Sequence, residues 1–453
     1  MRVTEARRHV IPLREAIRAW FLISLQTFGG PAGQIAVMQR TLVDERRWIG
    51  ERRFLHALSY CMLLPGPEAQ QLAIYTGWLL NGWAGGLIAG TLFVLPGLLS
   101  ILALSWLYVA QGDTTVVTGL FLGLAPAVVA IVVQAVWRVG RRALRHAALV
   151  TVAVVAFLLL AVFSVPFPVV VLGAGGVGWV LSRWRPSVMA PADGADPDDR
   201  DPPLIPDDAL HHARPSARRN LTILGVGLVL WVAPVLAAWV LASGEGTVFT
   251  DQGLFFGGMA LVTFGGAYAV LSYVAQAAVG SYGWLSAGDM VRGLALAETT
   301  PGPLIMVVQF VAFLGAYRDP GGLDPWLAAV LGSLLTVWVT FVPCFLFIFL
   351  GAPYVERLRG NRSLSAALTG VTAAVVGVIA NLAVFFAVHT FFSRTRDVTA
   401  GPLDAVVPVW SSYVWESLGI AAVALALIFA ARWSMLRVLG ACAVLGLLVS
   451  VLT

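Results

Sequence analysis

Long apolar segments follow one another along most of this chain, and short polar stretches separate them. A helix of about 17 to 25 mainly apolar residues can cross the hydrocarbon layer of a membrane. Segments 83–108, 120–136 and 221–241 reach that length. A transmembrane β-barrel would instead show short strands with alternating polarity. The pattern therefore predicts an all-α polytopic membrane protein.

Glycine- and proline-rich motifs interrupt this pattern twice in each half of the chain. FGGP begins at Phe28 and PGPE at Pro65, while FGGA begins at Phe264 and PGPL at Pro301. Glycine and proline both disfavour helix interiors, so these motifs predict breaks inside the apolar layer. A bilayer tolerates such breaks only beside protein or water. We expect the broken segments to form re-entrant hairpins, at 20–39 and 54–80 in the first half.

The spacing of equivalent residues indicates a duplicated chain. Three pairs share an offset of 236 residues, namely Phe28 with Phe264, Trp48 with Trp284, and Pro65 with Pro301. Further on, Pro96 and Pro343 are offset by 247 residues. The loop around 318–325 can hold the additional residues of the second half. We therefore expect two structural repeats.

The distribution of basic residues predicts that the two repeats are inverted in the membrane. Stretches 40–53 and 137–146 are basic and 109–116 is not, whereas the equivalent 281–289 and 385–392 lack basic residues and 355–362 is basic. Basic loops face the cytoplasm by the positive-inside rule. We expect the N-terminus and the central linker to be cytoplasmic.

These observations divide the chain into four parts. They predict a first repeat at 1–182, a polar linker at 183–219, a connecting transmembrane helix at 220–245 and a second, inverted repeat at 246–453. Inverted repeats are frequent in secondary transporters, whose sites form near the middle of the membrane from interrupted helices.

Composition excludes several other functions. The net charge of +5 does not indicate a nucleic-acid partner, because the basic residues lie in short loops where they set topology. Cys61, Cys344 and Cys442 are isolated and lack metal-ligand spacing. We expect the lipid bilayer as surroundings, no cofactor and no metal, and the sequence leaves a homodimer open.

The breaks carry candidate ligands for an anion. Helix N-termini present free N–H groups and about half a positive charge, so four of them in one cavity would favour a negatively charged substrate. Neutral donors surround the breaks, namely Gln26, Thr27, Gln34, Gln70, Gln71, Thr263, Thr299, Thr300 and Gln309.

Two carboxylates adjoin the PGP motifs. Glu68 follows the first motif and Glu298 precedes the second. A charged, unpaired carboxylate at membrane depth costs several kcal/mol, so such a residue is a functional candidate by default. Glu68 could instead cap the helix that follows it. Both residues are candidates for carrying a proton coupled to transport.

The motifs also carry a family resemblance. With FGGP at Phe28, PGPEAQQLAIYTGWLLNG at Pro65 and FVLPG at Phe93, followed by FGGAYAVL and TTPGP, the chain resembles the two-domain chromate ion transporters over nearly its whole length. The resemblance implies transport of chromate, usually outward from the bacterial cytoplasm across the inner membrane, with sulfate as a structural mimic.

The resemblance further implies which residues form the site. The family's motif positions correspond to Phe28, Gly29, Gly30, Pro31, Pro65, Gly66, Pro67, Glu68, Gly265, Gly266, Pro301, Gly302 and Pro303. The second half has Ala267 in place of Pro31 and Leu304 in place of Glu68. A symmetric pair of anion sites is therefore not expected.

The sequence thus predicts a chromate carrier, not an enzyme, that works by alternating access and is coupled to the proton-motive force. Sulfate or another divalent oxyanion is an alternative cargo. A membrane-embedded enzyme acting on lipid-linked phosphate is a rival of a different class. That rival would need a convergent acid, base or metal site, and the sequence shows no His/Asp cluster at membrane depth.

Overall fold

The computed structural model describes residues 11–28, 30–112, 114–184, 204–205, 216–241, 247–264, 266–352, 362–400 and 403–452. Over these residues the chain is mainly helical, and seven helices are long and apolar enough to cross a membrane. The chain is an α-helical polytopic membrane protein, as predicted. Most of the predicted linker lies outside the described residues.

The first half is built from seven helices in the part that the structure describes. They are α1 (Leu13–Gln26), α2 (Gly30–Gln39), α3 (Glu51–Cys61), α4 (Glu68–Gln111), α5 (Thr115–Ala143), α6 (Ala147–Ala161) and α7 (Phe167–Trp184). Helix α4 is broken, because Asn81 and Gly82 leave helical geometry. A Cβ atom on Gly77 would lie 2.5 Å from the carbonyl oxygen of Gly85. The two parts of α4 therefore fold back on each other.

Helix α8 (Ala217–Leu241) connects the halves. The second half contains α9 (Val248–Val262), α10 (Ala267–Ala275), α11 (Ala287–Thr299), α12 (Val307–Arg318), α13 (Pro325–Gly351), α14 (Arg362–Phe391), α15 (Trp415–Phe429) and α16 (Met435–Leu452). These helices follow one another in the same order as those of the first half. The loop between α12 and α13 stands where the first half has the break at Asn81 and Gly82, and this difference accounts for the change in offset.

Three local features differ from the sequence-based expectation. Residues 137–143 were expected in a loop but form the last turns of α5, where basic side chains are favoured by the helix dipole. Residues 385–391 complete α14, because Phe386 is fully buried in the core. A short antiparallel hairpin of β1 (Thr395–Ala400) and β2 (Leu403–Pro408) follows, which the sequence analysis did not predict.

The two halves are interlocked by glycine contacts between long helices. A Cβ on Gly123 of α5 would lie 1.9 Å from the carbonyl oxygen of Cys442 in α16. In the equivalent crossing, a Cβ on Gly370 of α14 would lie 2.3 Å from the carbonyl oxygen of Ala174 in α7. Helix α5 therefore packs closely against α16, the last described helix of the second half, and α14 packs closely against α7, the last described helix of the first half, as small residues permit between membrane helices.

We expect Gly446→Ala to destabilise the protein. A Cβ at this position in α16 would lie 2.3 Å from the backbone nitrogen of Gly123, so α5 and α16 would have to separate. The midpoint of thermal unfolding in detergent should fall by several degrees. Gly440→Ala is the control, because a Cβ there meets no atom within 4 Å on the same helix. Equal midpoints for the two variants would contradict the close crossing.

Candidate functional site

The four breaks meet where the two halves cross. The backbone N–H of Gly66 donates a hydrogen bond to the carbonyl oxygen of Thr263 at 2.8 Å. The backbone N–H of Gly302 donates to the carbonyl oxygen of Thr27 at 2.9 Å. The two pairs are related by the offset of 236 residues. Each PGP loop is therefore hydrogen-bonded to the residue before the FGG motif of the other half.

Glycine is required in both PGP loops. Gly66 and Gly302 have φ angles of +118° and +105°, which L side chains rarely adopt. A Cβ on Gly302 would lie 3.0 Å from the Cα of Gly97, and one on Gly66 would lie 3.1 Å from the Sγ of Cys344. Gly97 and Cys344 each follow the proline inside α4 and α13. The loops thus pack against equivalent helices of the opposite halves.

A cavity of about 890 Å³ lies beside this crossing. The first residues of three helices line it, with Pro31 in α2, Glu68 in α4 and Ala267 in α10. Gly266, just before α10, also lines the cavity, and a Cβ there would meet no atom within 4 Å. The start of α12 does not contribute to the lining. The cavity therefore brings together three of the four helix starts at the breaks.

The opposite wall of the cavity is basic. Arg138 and Arg142 of α5 line it, together with Arg145 and His146 just beyond the helix. Among the described residues, none of the three arginines forms an ion pair. Glu68 is the carboxylate in the lining. Arginines therefore outnumber carboxylates in the lining, which attracts anions.

Tyr268 and Glu298 make the crossing asymmetric. The Tyr268 hydroxyl donates a hydrogen bond to Oε1 of Glu298 at 2.6 Å. Glu298 is 1% exposed, and its Oε2 atom has no hydrogen-bond partner among the described residues. A Cβ on Gly30 would lie 3.9 Å from the Tyr268 hydroxyl oxygen. Tyr268 therefore fills the space beside Gly30. The first half has Ala32 at the position equivalent to Tyr268, and the space beside Gly266 stays open.

The predicted threonine ligands donate within their own helices or turns. Their hydroxyls bond to carbonyl oxygens three or four residues earlier, for Thr27 at Ser24, for Thr263 at Met259, for Thr299 at Leu296 and for Thr300 at Ala297. The single proton of each hydroxyl is therefore engaged in the polypeptide. None of these four residues lines the cavity.

The glutamines have different surroundings. Gln34 Nε2 donates to the carbonyl oxygen of Gly302 at 2.6 Å, and Gln71 Nε2 donates to that of Pro65 at 2.6 Å. Both side chains hold the loops in place. Gln70 is fully buried, and neither polar atom of its side chain has a partner within the described part of the chain. Gln26 is exposed and accepts a hydrogen bond from Arg40.

Gly29 and Gly265 lie outside the described residues. Phe28, Pro65, Pro67, Pro301 and Pro303 belong to the broken segments but do not line the cavity. The cavity is also lined by Gln134, Arg138, Arg142 and Tyr268, which are not among the site residues that the sequence predicts. The spacing of Gln134, Arg138 and Arg142 was the available signal, because residues four apart share one face of a helix.

A second polar cluster lies away from the cavity and joins the two halves. The Tyr108 hydroxyl of α4 donates to Asp289 of α11, and Arg318 of α12 donates to the same carboxylate at 2.9 Å. Arg292 donates to the Tyr108 hydroxyl at 3.0 Å. The cluster adjoins 109–116 and 281–289, which the charge pattern predicts to face outward.

Comparison with known proteins identifies relatives over most of the chain. The chain is 32% identical to a chromate transport protein of Pseudomonas aeruginosa, over 87% of this chain and 85% of that protein. It is 28% identical to a chromate transport protein of Cupriavidus metallidurans, over 83% and 82% of the two chains. It is 26% identical to a probable chromate transport protein of Synechococcus elongatus, over 85% and 88%. No solved structure matches.

The model of one family matches both halves. This family is described as chromate transporter, and its model matches residues 14–179 and 250–447. It is a family of transporters, not of enzymes, as the sequence predicts. The chain belongs to the chromate transporter family.

Proposed function

We propose that this protein exports chromate from the bacterial cytoplasm across the inner membrane, by alternating access driven by the proton-motive force. The observation that carries the proposal is the basic cavity at the crossing of the broken segments. A tetrahedral dianion fits its chemistry, because helix N-termini and arginines both favour anions.

The cavity supports an inward-facing form of the carrier. It reaches Arg142, Arg145 and His146, which belong to a stretch predicted to be cytoplasmic. The Asp289 cluster joins the halves beside the stretches predicted to face outward. In this proposal chromate enters from the cytoplasm, and the cluster opens when the halves move to the outward-facing form.

The membrane potential favours export of an anion. Moving one charge across 100 mV is worth about 2.3 kcal/mol, so a dianion leaving an inside-negative cell gains about twice that amount. Glu68 lines the cavity. Glu298 accepts a hydrogen bond from Tyr268, which also lines the cavity. We propose that one of these carboxyls carries the coupled proton. A protonated carboxyl also removes the repulsion that a dianion would otherwise meet.

We expect inverted membrane vesicles containing this protein to take up radiolabelled chromate, and we expect this uptake to stop when an uncoupler is added. Vesicles from cells without the protein are the control. Excess sulfate separates the two cargoes, because sulfate is also a tetrahedral dianion. Sulfate uptake without chromate uptake would show that sulfate, not chromate, is the substrate. No oxyanion flux in correctly inserted protein would contradict the proposed function.

Gly302→Ala should reduce chromate uptake by about tenfold or more. The added Cβ would strain a backbone at φ +105° and meet Gly97, so the loop could not keep its bond to Thr27. Gly322→Ala is the matched control, because its φ is also positive, at +85°, but a Cβ there meets no atom within 4 Å. Equal uptake by the two variants, at equal amounts of inserted protein, would count against the crossing as the site.

In the proposed inward-facing form, the Asp289 cluster keeps the cavity closed towards the outside. Asp289→Asn should weaken this closure, because it removes the negative charge that binds Arg318 and Tyr108. A cysteine introduced as Ala267→Cys reports access to the cavity, and the three native cysteines are buried. With Asp289 intact, an impermeant maleimide should label this cysteine in inverted vesicles only. Asp289→Asn should add labelling from the outside of cells. Asp251→Asn, on the exposed surface of α9, is the control, and an identical labelling pattern in both variants would contradict the closure.

A further inference from the structure

The cavity wall formed by α5 carries polar side chains at a regular spacing. Gln134, Arg138 and Arg142 are each four residues apart, and Arg145 follows just beyond the helix. At 1.5 Å per residue, neighbouring members lie about 6 Å apart along the axis. They form a continuous series along the cavity lining. We name these residues the α5 series.

The equivalent helix of the second half lacks this series. At the offset of 247 residues that relates Pro96 to Pro343, the corresponding positions are Asn381, Phe385, His389 and Phe392. None is an arginine. The rings of Phe385 and His389 lie 4.4 Å apart, and His389 Nδ1 is 2.8 Å from the Phe385 carbonyl oxygen. The α5 series is therefore a feature of one half only.

Arg138 is the arginine of the series that lies farthest from the C-terminal end of α5. It interacts electrostatically with Glu298 and with Tyr268, both of which lie at the crossing of the halves. It forms no ion pair or hydrogen bond that would hold its guanidinium among the described residues. Arg138 is exposed and lines the cavity, so its charge is available to an anion that enters.

The adjacent arginine shows the contrasting case. Arg141 does not line the cavity, and its guanidinium lies 5.5 Å from the centre of the Trp137 ring. With Arg142 and Arg145 it supplies enough positive charge to place this end of α5 on the cytoplasmic side. Topology therefore does not explain why a further arginine stands at position 138.

We propose that Arg138 binds the transported dianion directly, and that Arg142 and Arg145 form an attracting path on the cytoplasmic side alone. The inference rests on the proposed function and names the cationic ligand of that site. An anion entering from the cytoplasm meets three arginines, whereas the equivalent positions of the other half offer none. The apparent affinity for chromate should therefore be higher at the cytoplasmic face.

The test compares Arg138→Gln with Arg141→Gln in the full-length protein. Both substitutions remove one positive charge from neighbouring turns of α5, but only the first changes the cavity. Arg138→Gln should raise the KM for chromate uptake into inverted vesicles by about tenfold or more, because a charge-assisted hydrogen bond is lost. Arg141→Gln should leave KM within about twofold of the wild type, since no contact with the dianion is removed.

Two further measurements separate a ligand from a structural residue. Arg138→Lys retains the charge and should recover part of the affinity, which also covers the case in which Arg138→Gln does not fold. For the wild type, KM should be lower in inverted vesicles than in right-side-out vesicles. The dissociation constant of chromate from the purified protein, measured by isothermal titration calorimetry, should rise in parallel with KM.

The outcomes are distinct. If the wild type moves chromate and the Arg138 and Arg141 variants have equal KM values, the inference is wrong and the proposed function stands. Equal affinities at the two faces of the membrane would also overturn the one-sided path. If the wild type neither binds nor moves chromate, the proposed function fails and the inference fails with it.

Discussion

Backbone groups inside a membrane need hydrogen-bond partners within the protein, and the broken segments of this chain depend on that requirement. The N–H groups of Gly66 and Gly302 find their acceptors in the opposite half, at Thr263 and Thr27. Neither half supplies these partners for itself. Each PGP loop therefore has its backbone partner only when the other half is present and correctly placed. The same mutual dependence holds for the glycine crossings of α5 with α16 and of α14 with α7.

Within this nearly symmetric frame, a few substitutions make a single cavity. Tyr268 fills the space beside Gly30 and bonds Glu298, whereas Ala32 leaves the equivalent space beside Gly266 open. The α5 series supplies positive charge to the cavity that includes the open space beside Gly266. Away from the cavity, Asp289 joins the halves by hydrogen bonds with Tyr108 and Arg318. Similar backbone contacts in the two halves thus carry different charges, which would allow the two faces of a carrier to differ in affinity.

The sequence was sufficient to predict the fold class and the places where helices break. Glycine and proline disfavour helices locally, and the length of an apolar segment indicates whether it can cross a membrane. The break near residue 81 was expected between a hairpin ending at 80 and a helix starting at 83, and the structure has it at Asn81 and Gly82. The partners of the broken segments could not be predicted, since they depend on how the halves are placed. The threonines were chosen for their hydroxyl groups, but local bonds to preceding carbonyls engage those protons. The basic residues around Arg138 predict a cytoplasmic loop and not a site, whereas α5 continues through this stretch.

Charge also links the site to the energy source. In the proposed site, Arg138 would attract a dianion, whereas an ionised Glu298 nearby would repel it. Binding of chromate therefore favours the protonated form of Glu298. If that proton travels with the anion, the complex moves one negative charge across the membrane, and if it does not, the complex moves two. In both cases the membrane potential drives the anion outward, by about 2.3 kcal/mol per charge for each 100 mV. In the proposed mechanism, the electrical component of the proton-motive force can therefore power export, and the protonation state of the carboxyl sets how many charges move with each anion.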